Sequence, residues 1–141
     1  MSERPSKGLK AILGALPLTP GMRVLEVGCG PGALARALSS EIGDGNVLGI
    51  DRSERAIAQA VAGSRDEIAS GRLSFRTVAA EDFVIETSEA PFDLVLAVRV
   101  GALEGRHPEA GARAWPRLRA ALARGGRIFV DGAEVPRETP K

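Results

Sequence analysis

The chain has 141 residues, 44% hydrophobic and 26% charged, enough for one globular domain with one core and little more. A net charge of +1 gives no global field to draw a nucleic acid or a membrane surface, which argues against both as partners. Cys29 is the one cysteine, so no internal disulfide and no cysteine-rich metal site can form, and neither a signal-peptide core nor an apolar run of about 18 residues occurs. A cytoplasmic protein folding as one domain over residues 1–141 is expected.

Ser6 is placed to cap a helix in which Leu9, Ile12, Leu13 and Leu16 recur at helical spacing until Pro17 and Pro20 end it. Residues 1–20 therefore read as an N-terminal helix lying across a sheet. Val24 to Val27 and Val47 to Ile50 are continuously apolar, as strands covered on both faces are, and the second run ends on Asp51. Between them a helix is predicted from about Ala33 to Ser40, with Leu34, Ala35 and Leu38 on one side. Ser53 offers the cap for a helix through Ile57 and Ala60, broken near Gly63 before it continues toward Ile68. Leu73, Phe75 and Val78 mark a third strand and Phe92 to Val98 a fourth. Leu118 and Leu122 are placed on a helix ending at Gly125-Gly126, in which Pro116 predicts a kink or a second start. Arg127 to Val130 make a fifth strand. Strands alternating with helices predict an α/β fold with a doubly wound, mainly parallel sheet.

The first strand runs straight into Gly28-Cys29-Gly30-Pro31-Gly32, with Glu26 two residues before the first glycine. Alternating glycines let the backbone turn sharply and let a ligand approach without meeting a Cβ, while the helix that follows points free N–H groups at the same place. Nicotinamide, flavin and S-adenosylmethionine binders share such a turn. Glu26 separates them, because a carboxylate there repels a pyrophosphate and attracts the ammonium and sulfonium of S-adenosylmethionine. Asp51, 23 residues after Gly28, ends the second strand where a carboxylate can accept both ribose hydroxyls, and Arg52 beside it can lie along adenine.

Together these residues resemble class I, Rossmann-like S-adenosylmethionine-dependent methyltransferases, from about Val24 to Val130. The resemblance implies a glycine backbone, including Cys29 and Gly32, against the methionine part of the cofactor, with Glu26 near its amino group. It implies an adenine contact from Ala80-Glu81-Asp82, with Glu81 or Asp82 as acceptor, and places Val98 and Arg99 beside the transferred methyl group. Val98-Arg99-Val100-Gly101 stands where branches that methylate amino groups carry an Asn/Asp-Pro-Pro-aromatic segment, so a nucleobase or amide nitrogen is not the expected acceptor. The expected activity is methyl transfer to a small molecule. A noncatalytic S-adenosylmethionine or S-adenosylhomocysteine-binding module working with a partner is the alternative, and Gly28-x-Gly30-x-x-Ala33 also fits an NAD(P)-dependent oxidoreductase.

No residue is fixed as catalytic. His107 is the one histidine and is either a general base or a loop residue ahead of a helix. Seven arginines lie between Arg99 and Arg127 against Glu104 and Glu109, either a solvated helix face or an attraction for an anionic substrate. The family's fold usually adds two further strands after the fifth, forming a hairpin that closes one sheet edge. Residues 131–141 are short and rich in proline, so that hairpin is expected to be missing. The strand-five edge is then expected to be covered by the tail or paired with a second copy in a homodimer.

Overall fold

The computed structural model describes residues 7–100, 103 and 106–136. Among them, β1 (Arg23–Val27), β2 (Asn46–Asp51), β3 (Leu73–Thr77), β4 (Phe92–Ala97), β5 (Leu122–Val130) and β6 (Ala133–Val135) form one sheet in the order β3-β2-β1-β4-β5-β6. The first five strands are parallel and β6 is antiparallel to β5. This is the expected doubly wound α/β architecture. The winding direction reverses between β1 and β4, so the loops after these two strands part and open a crevice at their C-terminal ends.

Both faces of the sheet are covered, which is why the strands read as unbroken apolar runs. Leu25 and Val27 enter one core with Leu48, Ile50, Val95 and Ile128, while Val24 enters the other with Val47, Leu73, Leu94 and Phe129. Onto the second core α1 (Lys7–Ala15) lays Leu9, Ile12 and Leu13, and α2 (Ala33–Ser39) lays Leu34, Ala35 and Leu38. The proposed cap of α1, Ser6, lies outside the described residues. Onto the first core α5 (Pro108–Ala120) sets Ala114 and Leu118. Each such leucine contributes about 1.5–3 kcal/mol by leaving water. Ser53 caps α3 (Glu54–Ala62), its Oγ accepting from the Ala56 N–H at 3.1 Å, and the expected break at Gly63 separates α3 from α4 (Arg65–Ala69). No helix among the described residues is long and apolar enough to cross a membrane.

Two expectations are corrected. The helix placed through Leu122 ends at Ala120, and α5 continues through Pro116 as one element. The Phe92 N–H takes the Ala121 carbonyl at 2.8 Å and Leu122 already pairs with Phe92, so the sheet captures the chain before the glycines. Gly125 and Gly126 instead form an irregularity inside β5, where a Cβ on Gly126 would stand 2.9 Å from the Phe92 carbonyl oxygen.

The second correction concerns the tail. The tail forms a hairpin with β5 through one further strand among the described residues, rather than two: Ile128, Phe129 and Val130 pair with Val135, Glu134 and Ala133. Its turn is Asp131-Gly132, at φ 50° and 85°, and positive φ at both central residues is what a two-residue type I′ hairpin requires. Arg127 closes it with two hydrogen bonds to the Glu134 carboxylate, at 2.7 and 3.0 Å. The tail thus covers the strand-five edge along Ile128 to Val130, the first of the two arrangements expected for it.

Candidate functional site

The turn after β1 is held from several sides. Gly28 and Cys29 both donate their N–H groups to the Ile50 carbonyl, at 2.8 and 2.9 Å, and so tie the turn to the end of β2. Gly30 donates to Asp51 Oδ2 and Ser53 to Asp51 Oδ1, each at 2.9 Å. Behind the turn, Arg36 Nη1 reaches the Pro31 carbonyl and Ser64 Oγ, both at 3.0 Å. All three glycines have positive φ, yet the space beside them differs. A Cβ on Gly28 would stand 2.6 Å from Val100 Cγ2, and one on Gly32 would stand 3.1 Å from both Ala60 Cβ and Phe75 Cζ. Gly32 therefore serves helix-to-strand packing, and Gly28 lets the loop after β4 close onto the turn. At Gly30 a Cβ would meet nothing within 4 Å, leaving an open cradle on the backbone.

Glu26 lies in β1 with 3% of its surface exposed, and its Oε1 has no hydrogen-bond partner. Burial, and then the charge of Asp51, push its carboxyl up to about 8, so in the empty protein it is protonated near neutral pH. A buried acid without a partner beside a glycine turn costs stability unless a cation comes to it. An orphaned carboxyl and an open backbone cradle fit a ligand carrying an ammonium group and no phosphate. Cys29 is different: burial first, then Glu26 and Asp51, push its thiol up to about 12, and Sγ rests in van der Waals range of the Gly49 position. It is an inert packing residue.

In front of the turn lies a cavity of about 820 Å³. Its floor comes from the ends of β1 and β2 (Val27, Gly28, Asp51, Arg52) and from Val78, Ala79, Ala80 and Glu81, the last two opening a 3-10 turn over Ala80–Asp82. Its far wall holds Arg99 and Val100 after β4 and the stretch from Arg106 to Ala110, with Arg113. Of the residues singled out from sequence, Gly28, Asp51, Arg52, Ala80 and Glu81 line this cavity. Glu26, Cys29, Gly30 and Gly32 form the turn behind it. Asp82 is not among the residues lining it, and Val98 packs, half-buried, against the core that α1 and α2 cover. Val78, Ala79 and Val100 escaped the sequence reading, although Val100 is only two residues beyond Val98. His107 occupies the N-cap position of α5 without a capping side-chain bond, followed by Pro108 at the first helical position, and it faces the cavity.

Residues 24–126 match the family model described as a methyltransferase domain. The chain is 33% identical over 93 residues to a trans-aconitate 2-methyltransferase of Streptomyces avermitilis, covering 66% of this chain and 33% of that protein. A trans-aconitate 2-methyltransferase of Variovorax paradoxus is 31% identical over 136 residues, covering 94% of this chain and 47% of that one. The chain thus spans between a third and a half of the length of these curated relatives. Among solved structures, a methyltransferase from Geobacter sulfurreducens in complex with S-adenosyl-L-homocysteine superposes with a TM-score of 0.65 at 26% identity, covering 89% of this chain and 47% of that one. The cofactor is S-adenosylmethionine, and the dinucleotide reading of the glycine turn falls away. The chain belongs to the class I, Rossmann-like S-adenosylmethionine-dependent methyltransferases.

Proposed function

We propose that this chain carries the donor site and part of the acceptor site of an enzyme that methylates an oxygen of a small molecule. The carrying observation is that one cavity is lined both by Gly28, Asp51 and Ala80, from the ends of β1 and β2 and the turn after β3, and by Arg99 and His107, from the segment between β4 and α5. In this reading Asp51 holds the ribose. Each of its oxygens already accepts one backbone N–H, which fixes the carboxylate plane and leaves a lone pair on each for a ribose hydroxyl. Ala80 and Glu81 border the adenine, with Arg52 across from them, and Glu26 and Gly30 receive the amino-acid end.

The bound cofactor supplies an electrophilic methyl group on a sulfonium. For their part the residues of the chain align the acceptor with it and keep water out, which is most of what such a transfer needs. Val100, packed on Gly28, closes the cavity between the turn and the loop after β4. His107 is the group at the far wall able to take a proton from a hydroxyl acceptor. The relatives' printed activity makes an organic acid the first acceptor to try.

The test is incubation of the full chain with S-adenosylmethionine and trans-aconitate, with ubiquinone-like phenols in parallel, following release of S-adenosylhomocysteine and the mass of the product. Methylated product with turnover supports the enzyme reading. Tight binding of S-adenosylhomocysteine without turnover on any acceptor favours the noncatalytic module.

A further inference from the structure

Asp131 lines no part of the cavity, yet from the exposed turn between β5 and β6 it reaches the loop that does. Ala97 and Val130 form the last paired rung of β4 and β5. Just past it, the Asp131 N–H donates to the Ala97 carbonyl at 2.9 Å, and Asp131 Oδ1 accepts the Arg99 N–H at 2.8 Å. The side-chain oxygen stands in for the backbone carbonyl that would have continued a parallel ladder. Arg99 is held there at φ 57°, a left-handed conformation that costs free energy in any residue with a Cβ. Asparagine and aspartate relieve that cost by bonding their own backbone, and arginine has no such short oxygen.

This conformation decides where the next residue goes. Val100 Cγ2 stands 2.6 Å from the place of a Cβ on Gly28, so Val100 packs on the glycine turn, and both residues line the cavity. Beyond it, the Leu103 N–H donates to the Val100 carbonyl at 2.9 Å, and Leu103 is buried in the first core. With Ala97 fixed in the sheet and Leu103 in the core, a change of φ at Arg99 is taken up at Val100. Gly28 is tied to the Ile50 carbonyl at 2.8 Å and does not follow.

On the donor-site reading above, we propose that Asp131 is a positioning residue for the cofactor: through the Arg99 N–H it keeps Val100 on Gly28 and so sets the wall between the turn after β1 and the loop after β4. The closing hairpin is thereby coupled to the donor site across β4. When the acceptor at Asp131 is lost, Arg99 returns to a negative φ, Val100 leaves Gly28, and the cavity opens to water beside the turn.

The test uses two glycine substitutions that act on opposite partners of this clamp. Asp131→Gly keeps the turn, because glycine suits positive φ at that position, and removes the acceptor. Arg99→Gly keeps the acceptor and removes the strain that it opposes. Affinity of the full chain for S-adenosylhomocysteine is measured by calorimetry, well below each variant's melting temperature. Asp131→Gly should weaken binding about tenfold, whereas Asp131→Asn, which keeps an oxygen for the Arg99 N–H, should stay within about twofold of wild type. In an Arg99→Gly chain, whose own affinity is the new baseline, adding Asp131→Gly should change binding by no more than about twofold. Val100→Ala removes the contact itself with the hairpin intact and should weaken binding severalfold. A merely structural Asp131 would lower the melting temperature without moving affinity and without this dependence on residue 99. Unchanged affinity in Asp131→Gly or in Val100→Ala, a loss that Asp131→Asn shares, or the same loss in the Arg99→Gly chain overturns the proposal. A wild-type chain that fails to bind S-adenosylhomocysteine overturns the donor-site reading and this proposal together, whereas one that binds it equally well with and without the Asp131 carboxylate overturns this proposal alone.

Discussion

Around the glycine turn the polar groups are already held in place: Asp51 accepts the Gly30 N–H on one oxygen and the Ser53 N–H on the other, and the Ile50 carbonyl ties down Gly28 and Cys29. Across the cavity the wall is formed by the exposed side chains of Arg99 and His107, while Arg113 pairs with Glu81 at 3.8 Å. The first region is rigid before any ligand arrives, and its hydrogen bonds are local to strand ends. The second offers charge that a ligand must order, and ordering long side chains costs entropy. A fixed donor beside an adaptable acceptor wall suits one cofactor serving chemistry that changes between relatives.

The comparison breaks most sharply at Asp51. Asp51→Ala removes the acceptor for two backbone N–H groups and, on the proposed reading, for the ribose, and hydrogen bonds to a charged group contribute about 1.5–3 kcal/mol each. Affinity for S-adenosylhomocysteine by calorimetry should fall about a hundredfold, with a lower melting temperature for the empty chain. Unchanged affinity would remove Asp51 from the site and leave it as a brace of the turn.

Glu26 gives a smaller effect with a sign fixed in advance. Its carboxyl is raised from 4.5 to about 8, so its buried proton is favourable to folding, and the stability of the empty chain declines as pH climbs from about 4.5 through about 8. Glu26→Gln, nearly the shape of the protonated acid, should flatten that decline in melting curves taken across the window. An ammonium brought beside Glu26 favours its ionised form, so cofactor binding releases a proton and affinity rises from about pH 6 to about pH 8. The variant should lose this slope and bind roughly tenfold more weakly at the alkaline end. Calorimetry in buffers of different ionisation enthalpy counts the proton directly.

The same contrast explains what could be read from sequence. The turn with Glu26, its glycines and Asp51 could be placed from sequence because β1 and β2 end abruptly and these residues lie within a few positions of those ends. Val98 was placed beside the methyl group, whereas the structure packs it, half-buried, against the core and turns Val100 onto Gly28. The cause is the positive φ of Arg99 between them, imposed by Asp131, 32 residues away, which no local pattern encodes. Glu81 was separated from Asp82 only by the 3-10 turn, which presents one and not the other. The closing hairpin had a signal that length and proline content obscured: Asp131-Gly132 between Val130 and Ala133 is among the strongest short hairpin sequences. Leu122 was drawn into the helix by its apolar spacing, because pairing with Phe92 is non-local.

The finest cut uses two glycines that are alike in conformation and differ in what faces them. Gly30 has φ 53° and Gly132 φ 85°, and an added Cβ meets nothing within 4 Å at either. Alanine at each position should therefore cost the empty chain the same kind of penalty, about 1 kcal/mol, from a left-handed backbone that alanine avoids. Denaturant unfolding measures that cost without any ligand. Only Gly30 lies on the turn beside Glu26, so Gly30→Ala should also weaken S-adenosylhomocysteine binding, by severalfold, while Gly132→Ala leaves it unchanged. Equal binding by the two variants would mean that the open space at Gly30 faces solvent, and the donor site would have to be drawn without its middle glycine.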